Sequence, residues 1–428
     1  MTVEFPYGKG SVSYDFRGED LLPVLEPGLK SYRPEAGEEE LIRKAMESPA
    51  GGKRLSELCR GKKNIVLIVS DHTRPVPSRL ILPPMLREIR EGAPEAKVTL
   101  LVATGCHRGT TKEELVAKCG EEIVKNERIV VHDCDDRDNL TVLGTLPSGG
   151  LCEISRIAAE ADLLAAEGFI EPHFFAGFSG GRKSVLPGVA GRRTVLANHS
   201  SAFIADPRSR TGNLEGNPIH RDMLWAARKA GLRYIVNVVL NDRKEVVFAA
   251  AGEPEEAHAR GAEFLGEMAG ITVPEAEVVI TTNGGYPLDQ NVYQAVKGMT
   301  AAEAAVKKGG VIVMLAEASD GVGGENFYRQ LSGEPDGRKL TARFLARSPG
   351  ETEPDQWQTQ ILLRVLEKAR VILVSGVEDE KVRALHLIPA HSLPEAIRKA
   401  GELLGKERPS ILAIPDGVGA IIRGREKA

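Results

Sequence analysis

Glu171-Pro-His-Phe-Phe-Ala-Gly-Phe-Ser-Gly-Gly-Arg-Lys-Ser-Val-Leu-Pro-Gly-Val-Ala-Gly191 follows directly on an apolar run, 162–170, that reads as a buried strand. A strand that opens into such a Gly-rich loop lets the backbone come close to a ligand. If a helix follows the loop, its unpaired N–H groups suit an anion. Lys183, at the centre, can serve as a charge, a nucleophile or a covalent anchor. Working outward, two earlier apolar runs end in polar loops as well. Residues 64–70 run into Asp71-His-Thr-Arg-Pro-Val-Pro77, and residues 97–103 into Thr104-Gly-Cys-His-Arg-Gly109. The unbroken β-branched run at 64–70 fits a strand covered on both faces, as in a parallel sheet. Helical patterns at 78–90 and 112–119 follow the two loops, the second capped by Thr110 or Thr111. In open α/β sheets ligands bind outside the carboxyl ends of the strands, so the three loops are expected on one rim.

The alternation continues along the chain. Short strands are expected at 128–132 and 141–143, helices at 153–160, 192–201 and 217–230, strands at 233–240 and 244–250, and a helix at 254–268. Gly, Thr and Pro interrupt the pattern at 270–275. Beyond it come a strand at 278–282, helices at 291–297 and 301–308, a strand at 310–316, a helix at 356–369, a strand at 371–375, a helix at 394–404 and a last strand at 410–414. A chain of 428 residues exceeds one typical core. The expected fold is α/β: two Rossmann-like α/β domains with the active site in the cleft between them. Their spans are 1–272, rejoined by the tail 406–428, and 273–405.

Composition excludes several function classes. A net charge of -4 and a pI near 6.2 give no basic field for nucleic acid or an anionic membrane. The five cysteines are odd in number and lack a C-x-x-C pair, which points to a reducing compartment and against a disulfide framework. With no basic-then-apolar leader and no run of membrane-spanning length, the expected location is cytoplasmic.

The chemical groups admit bland and sharp readings. Gly177 to Ser184 nearly matches the phosphate-binding loop G-x-x-x-x-G-K-S, but Arg182 stands where the second glycine must approach phosphate, which weighs against a nucleotide hydrolase. His72, His107, His173 and His199 lie near strand-end loops, without the spacing of a compact zinc motif. Each could relay protons, bind metal or simply be a hydrogen-bonded loop residue. Arg74 is placed to meet a carboxylate or phosphate with its planar fork, or to pair with Asp71 at the surface. Tyr293, Gln294 and Lys297 lie within one helical turn, and Gln294 and Lys297 share a face. They could orient a hydroxy acid from across a cleft or be a solvated face. Trp357 could cover that cleft or cap a core.

Together, Asp71-His-Thr-Arg-Pro75, Ala103-Thr-Gly-Cys-His-Arg108, the loop through Lys183, Ala197-Asn-His-Ser200 and Tyr293-Gln-Ala-Val-Lys297 resemble the nickel-pincer lactate racemases over nearly the whole chain. The resemblance implies a nickel-pincer nucleotide, Ni(II)-pyridinium-3,5-bisthiocarboxylic acid mononucleotide in type, covalently tethered at Lys183 with His199 on the metal. It implies that Asp71, His72, Thr73, Arg74, Phe175, Gly177 and Ser179 hold the nucleotide. His107 and His173 would be the acid/base pair, on opposite faces of a 2-hydroxy acid that gives hydride to the cofactor and takes it back. Arg74, Tyr293, Gln294, Lys297 and Trp357 would hold the substrate, and cofactor-synthesis enzymes would be needed for maturation. Lactate is the expected substrate. Malate or a sugar acid, a P-loop-like hydrolase and a non-catalytic cofactor carrier are the alternatives.

Overall fold

The computed structural model describes residues 1–17, 20–24 and 26–424. The chain divides into two compact units. One is Leu29–Met268, and the other joins Met1–Gly28 to Ala269–Ala428.

The unit Leu29–Met268 is built on a six-stranded sheet of β1 (Asn64–Ser70), β2 (Lys97–Ala103), β3 (Arg128–Val131), β4 (Leu163–Phe169), β5 (Leu232–Leu240) and β6 (Val246–Gly252), in the order β6-β5-β4-β1-β2-β3. All neighbours are parallel except β6, which runs antiparallel to β5. Every residue from Ile65 to Val69 is buried, as an interior strand covered on both faces requires. Ile65, Leu67 and Val69 share a core with Ile81, Leu82 and Met85 of the helix Ser78–Gly92. The chain leaves β1 for β2 on one side and later returns to β4 on the other. The three expected loops therefore leave adjacent strands β4, β1 and β2 on one rim, around the reversal where α/β sheets bind ligands.

Some local expectations give way. Residues 151–155 form a strand that pairs antiparallel with Leu140–Thr145, so only Arg156–Ala159 remains of the helix expected at 153–160. Alternate burial of Cys152 and Ile154 favours the two-residue period of a strand.

The second unit has its own parallel sheet of β7 (Ala276–Thr282), β8 (Val306–Leu315), β9 (Arg370–Val374), β10 (Ile388–Ala390) and β11 (Ser410–Ile414). Its order is β10-β9-β8-β7-β11, with Asp20–Leu21 beyond β11. The tail does not rejoin the first unit: β11 is interior here, and Ile421–Gly424 pairs with Gly270–Val273. The first 28 residues also belong here, through the hairpin Thr2–Tyr7/Gly10–Asp15 and Asp20–Leu21. An apolar run such as Ile411 to Ile414 reveals a strand but not its sheet. The helices expected at 291–297 and 301–308 are one helix, Val292–Ala305. Gly298 is no breaker there; a Cβ on it would come within 2.5 Å of Asn283 Oδ1. Helices Glu325–Ser332 and Gly337–Leu345 had no sequence expectation.

One buried acid fixes the loop between β1 and its helix. Glu167, in β4, accepts from the Ser70 N–H at 2.8 Å and from Ser78 Oγ at 3.1 Å, so it holds both ends of the segment 71–77. Burial pushes its pKa up, against Lys118 and these bonds. Glu167→Ala should cost about 2–3 kcal/mol in urea unfolding, because it strands a buried N–H. Glu167→Gln, which keeps an acceptor for Ser70, should cost about 1 kcal/mol or less. Equal losses in the two variants would show that the acceptor is not what matters.

Candidate active site

The β1 and β2 loops meet in an Asp–His pair. Asp71, 1% exposed, places Oδ2 2.7 Å from His107 Nδ1, and its Oδ1 accepts from the Thr73 hydroxyl at 2.7 Å and the Thr73 N–H at 3.2 Å. Burial pushes the Asp71 carboxyl up, but His107, Thr73 and Arg74 outweigh it and hold it below its usual range. An ionised acceptor requires the proton on His107 Nδ1, which leaves the lone pair on Nε2 of an exposed ring. His72 turns instead to Thr110 Oγ1, at 3.1 Å. Arg74 is exposed, and its carbonyl accepts from Lys118 Nζ at 3.0 Å.

The loop after β4 begins as a two-residue hairpin, Pro172–His173 against Gly177–Phe178. Ala176 N–H donates to His173 Nδ1 at 3.3 Å, so a neutral His173 carries its proton on Nε2, the reverse of His107. The Phe175 ring lies edge-on to two histidines, 4.5 Å from His173 and 5.1 Å from His199 between centroids. His199 caps the helix Arg192–Asn198, with Nδ1 2.8 Å from the Val195 carbonyl; that acceptor fixes the proton on Nδ1 and the lone pair on Nε2. Burial and then the nearby Lys183 push its pKa down to about 4, so the ring stays neutral. Gly177 has φ +79°, and a Cβ there would come within 2.3 Å of the Asn213 carbonyl oxygen, so no other residue fits. Ser179 spends its hydroxyl on Phe169 O (3.1 Å) and on the Glu171 N–H (2.9 Å), pinning the loop to the end of β4.

The loop enters the helix Arg192–Asn198, within the span expected at 192–201, and inside the loop Gly181–Ser184 forms a single 3-10 turn. Two of the turn's N–H groups are engaged within the fold, Gly181 to Asn237 Oδ1 at 2.7 Å and Lys183 to Gly180 O, as is that of Ser179 just before it, to Glu171 O. The β2 loop is tied to it through Gly105 N–H to Gly188 O, at 2.9 Å.

Arg182, met in the sequence only as a spoiled phosphate-loop position, is the residue under the loop. It is 3% exposed and donates to Ala176 O (2.9 Å) and Gly180 O (3.2 Å), and through Nε to His220 Nδ1 (2.9 Å). His258 Nε2 lies 2.8 Å away. Burial lowers the guanidinium pKa to about 9, and no carboxylate shares in its hydrogen bonds. A glycine-rich loop followed by an arginine was the only signal in the sequence. His220 and His258, distant along the chain, gave none.

In the second unit Tyr293, Gln294 and Lys297 are half-buried on the first turns of Val292–Ala305, where Val292, Ala295 and Val296 are buried. Asn291 caps this helix through the Gln294 N–H at 3.0 Å. The Tyr293 hydroxyl is hydrogen-bonded to Trp357 and Asp355; burial and then Asp355 push its pKa up. A cavity of ≈ 500 Å³ lies past the ends of β8 and β9, lined by Ser319, Gly321, Gly324, Tyr328, Gly376 and Lys381, and none of the five expected substrate residues lines it.

Asp133, Cys134 and Asp135 form the one group of three or more among the described residues whose His, Cys or carboxylate atoms approach within 4.8 Å of one another. Arg192 occupies both oxygens of Asp135, at 2.8 and 2.7 Å. Among the described residues no helix is long and apolar enough to cross a membrane.

Comparison with known proteins decides the family. The model of the lactate racemase N-terminal domain matches residues 7–212, and that of the C-terminal domain matches 271–422. The chain belongs to the lactate racemase family. It is 52% identical to a lactate racemase of Thermoanaerobacterium thermosaccharolyticum over 98% of this chain and 99% of that one. It is 48% identical to one of Lactiplantibacillus plantarum over 99% and 100%. The solved lactate racemase apoprotein from T. thermosaccharolyticum superposes with a TM-score of 0.95 at 51% identity, over 99% of this chain and 100% of that one. A Thermotoga maritima protein at 20% identity and TM-score 0.65, covering 90% and 98%, shares the fold alone.

The Arg182 cluster makes the unit acid-sensitive. Burial and then Arg182 lower the pKa of His220 to about 4 and that of His258 well below its usual 6.5. Below pH 6.5 the unfolded chain takes up protons that these rings refuse when folded, so stability falls with pH through that window. The depression at His220 corresponds to about 2–3 kcal/mol between pH 6.5 and 4. His220→Gln should show a shallower loss of unfolding free energy over that range than the parent; parallel pH curves would contradict the assignment.

Proposed function

We propose that this chain racemises lactate, the reaction named for the relatives at 52% and 48% identity. The observation that carries the reading is the pair His107 and His173, set on the loops of β2 and β4 either side of β1 in opposite hydrogen-bonded forms. One ring presents a lone pair and the other an N–H, as an acid/base pair must.

His107 Nε2 takes the hydroxyl proton of one enantiomer. The imidazolium so formed is stabilised by Asp71, whose buried carboxylate accepts from Nδ1 as in an Asp–His couple of a hydrolase. His173 gives its Nε2 proton to the oxygen as the other enantiomer forms, and the roles exchange in the reverse direction. When bound, a nickel-pincer nucleotide supplies the acceptor for the α-hydrogen as hydride and its return to either face. The residues suit that group: His199 offers Nε2 from a buried ring kept neutral, a fitting donor beside sulfur on planar Ni(II), and Lys183 lies near enough to depress its pKa. We assign Lys183 as the tether. Asp71, His72, Thr73, Arg74, Phe175, Gly177 and Ser179 are the candidates for the nucleotide's surroundings. The exposed Arg74 fork is also the candidate for a carboxylate. Tyr293, Gln294, Lys297 and Trp357 are the second unit's candidates for substrate contacts. Loading requires the enzymes that build the nucleotide.

The hydrolase alternative loses support, because Arg182 stands at the second glycine's position and the Gly181 and Lys183 N–H groups are engaged within the fold. Cofactor-loaded His107→Ala should lose about 10²–10⁴-fold in turnover of both lactate enantiomers, followed by chiral chromatography, while keeping its nickel. Turnover at the parent rate would refute the acid/base assignment, and loss of nickel would place His107 in the cofactor site.

A further inference from the structure

Two thiols stand beside the proposed proton carrier, and no step above uses them. Strands β2 and β3 are parallel neighbours, with Val102 opposite Val131. Cys106 lies three residues past the end of β2 and Cys134 three past the end of β3, and their side chains are hydrogen-bonded to one another. Cys106 is exposed and precedes His107 directly; Cys134 is buried. The turn holding Cys134 is fixed at several points. His132 N–H donates to Val102 O at 3.1 Å, Thr104 Oγ1 to His132 O at 2.6 Å, and Arg192 N–H to Cys134 O at 3.1 Å. The Arg192 guanidinium lies close enough to favour the thiolate at either sulfur.

We propose that Cys106 and Cys134 form a peroxide-reactive dithiol whose closure to a disulfide slows turnover at His107. A reactive cysteine needs an accessible, stabilised thiolate with a resolving thiol in reach. Cys106 has all three through its surface position, Arg192 and the Cys134 thiol. The hydrogen bond from Cys134 and the charge of Arg192 lower the Cys106 pKa, and Cys106 is the exposed member of the pair while Cys134 is buried, so attack starts at Cys106. The other cysteines are buried, with thiols pushed up by burial to about 12 at Cys59 and Cys152 and about 11 at Cys119.

The chemistry balances with hydrogen peroxide as the oxidant. The Cys106 thiolate attacks one peroxide oxygen; the S–O bond forms, the O–O bond breaks and hydroxide leaves. The sulfur, oxidised by two electrons, is then a sulfenic acid. Cys134 loses its proton and attacks that sulfur; the S–S bond forms, the S–O bond breaks and water leaves. Two thiols and one peroxide yield a disulfide and two waters. A covalent S–S bond is shorter than a thiol hydrogen bond, so closure draws the residue bonded to His107 toward the fixed turn after β3. The ring then moves from Asp71, whose hold is one 2.7 Å contact. The effect on turnover rests on the racemase reading; the disulfide does not.

The test treats the cofactor-loaded full chain, and Cys134→Ser loaded in the same way, with graded hydrogen peroxide, then alkylates and maps unreduced peptides by mass spectrometry. The expected result is a Cys106–Cys134 cross-linked peptide, with Cys59, Cys119 and Cys152 still alkylated after unfolding. Turnover should fall about tenfold in the parent and return with dithiothreitol, a change of about 1.4 kcal/mol in barrier. Cys134→Ser should keep its untreated turnover and lack the reversible loss, which separates the bridge from oxidation of the cofactor's sulfurs. Sulfinic acid at Cys106 without a cross-link, or oxidation spread evenly over the five cysteines, would overturn the dithiol site. A bridge without any change in turnover, or an equal reversible loss in Cys134→Ser, would overturn its control of His107. A bridge in a loaded chain that never racemises lactate would support the site and count against the racemase reading alone.

Discussion

Beneath the loop that follows β4 lies a guanidinium with no carboxylate in its hydrogen-bond set, and the shape of the proposed site depends on how its charge is satisfied. A buried cation is costly unless its donors are used. Arg182 uses them on the loop's own carbonyls, at Ala176 and Gly180, and on His220. The loop is thus wound around the residue that stabilises it. Phe175, Gly177, Ser179 and Lys183 take their positions from that winding, and the pin from Ser179 to the end of β4 completes it.

The neighbouring loop follows the same logic with the opposite sign. Glu167 fixes both ends of the segment after β1, and Asp71, at its start, is kept ionised by Thr73, Arg74 and His107. At Asp71 the buried charge chiefly positions its partners, since replacement of a satisfied ionic group by apolar packing is often neutral. Fixed backbones leave few hydrogen-bonding options to the two histidines. Asp71 determines which nitrogen of His107 is protonated, and the Ala176 N–H does so for His173. The two proposed proton carriers therefore rest in opposite hydrogen-bonded forms.

Much of this was legible in the residues. The β-branched run at β1 announced a parallel sheet, and the polar loops after β1, β2 and β4 announced the rim, because strand period and Gly/Pro punctuation are local properties. The residues behind the rim were not legible. Glu167 drew no reading of its own within the apolar run 162–170, and His220 and His258 meet Arg182 only once distant helices pack. Nor was the capture of the Gly181 N–H legible, since Asn237, on β5, is a partner more than fifty residues away. The tail joined the second unit for a similar reason: an apolar strand carries no address, and only the space between β7 and Asp20–Leu21 assigns β11.

The most direct measurement is intact mass and nickel content of the chain produced alongside the enzymes that build the nucleotide, with Lys183→Ala prepared in parallel. A mononucleotide-sized mass increment on the Lys183 peptide, near-stoichiometric nickel, and neither in the variant is the predicted result. An unmodified, nickel-free chain, where a lactate racemase loaded in the same host carries both, would contradict the assignment of Lys183 and His199.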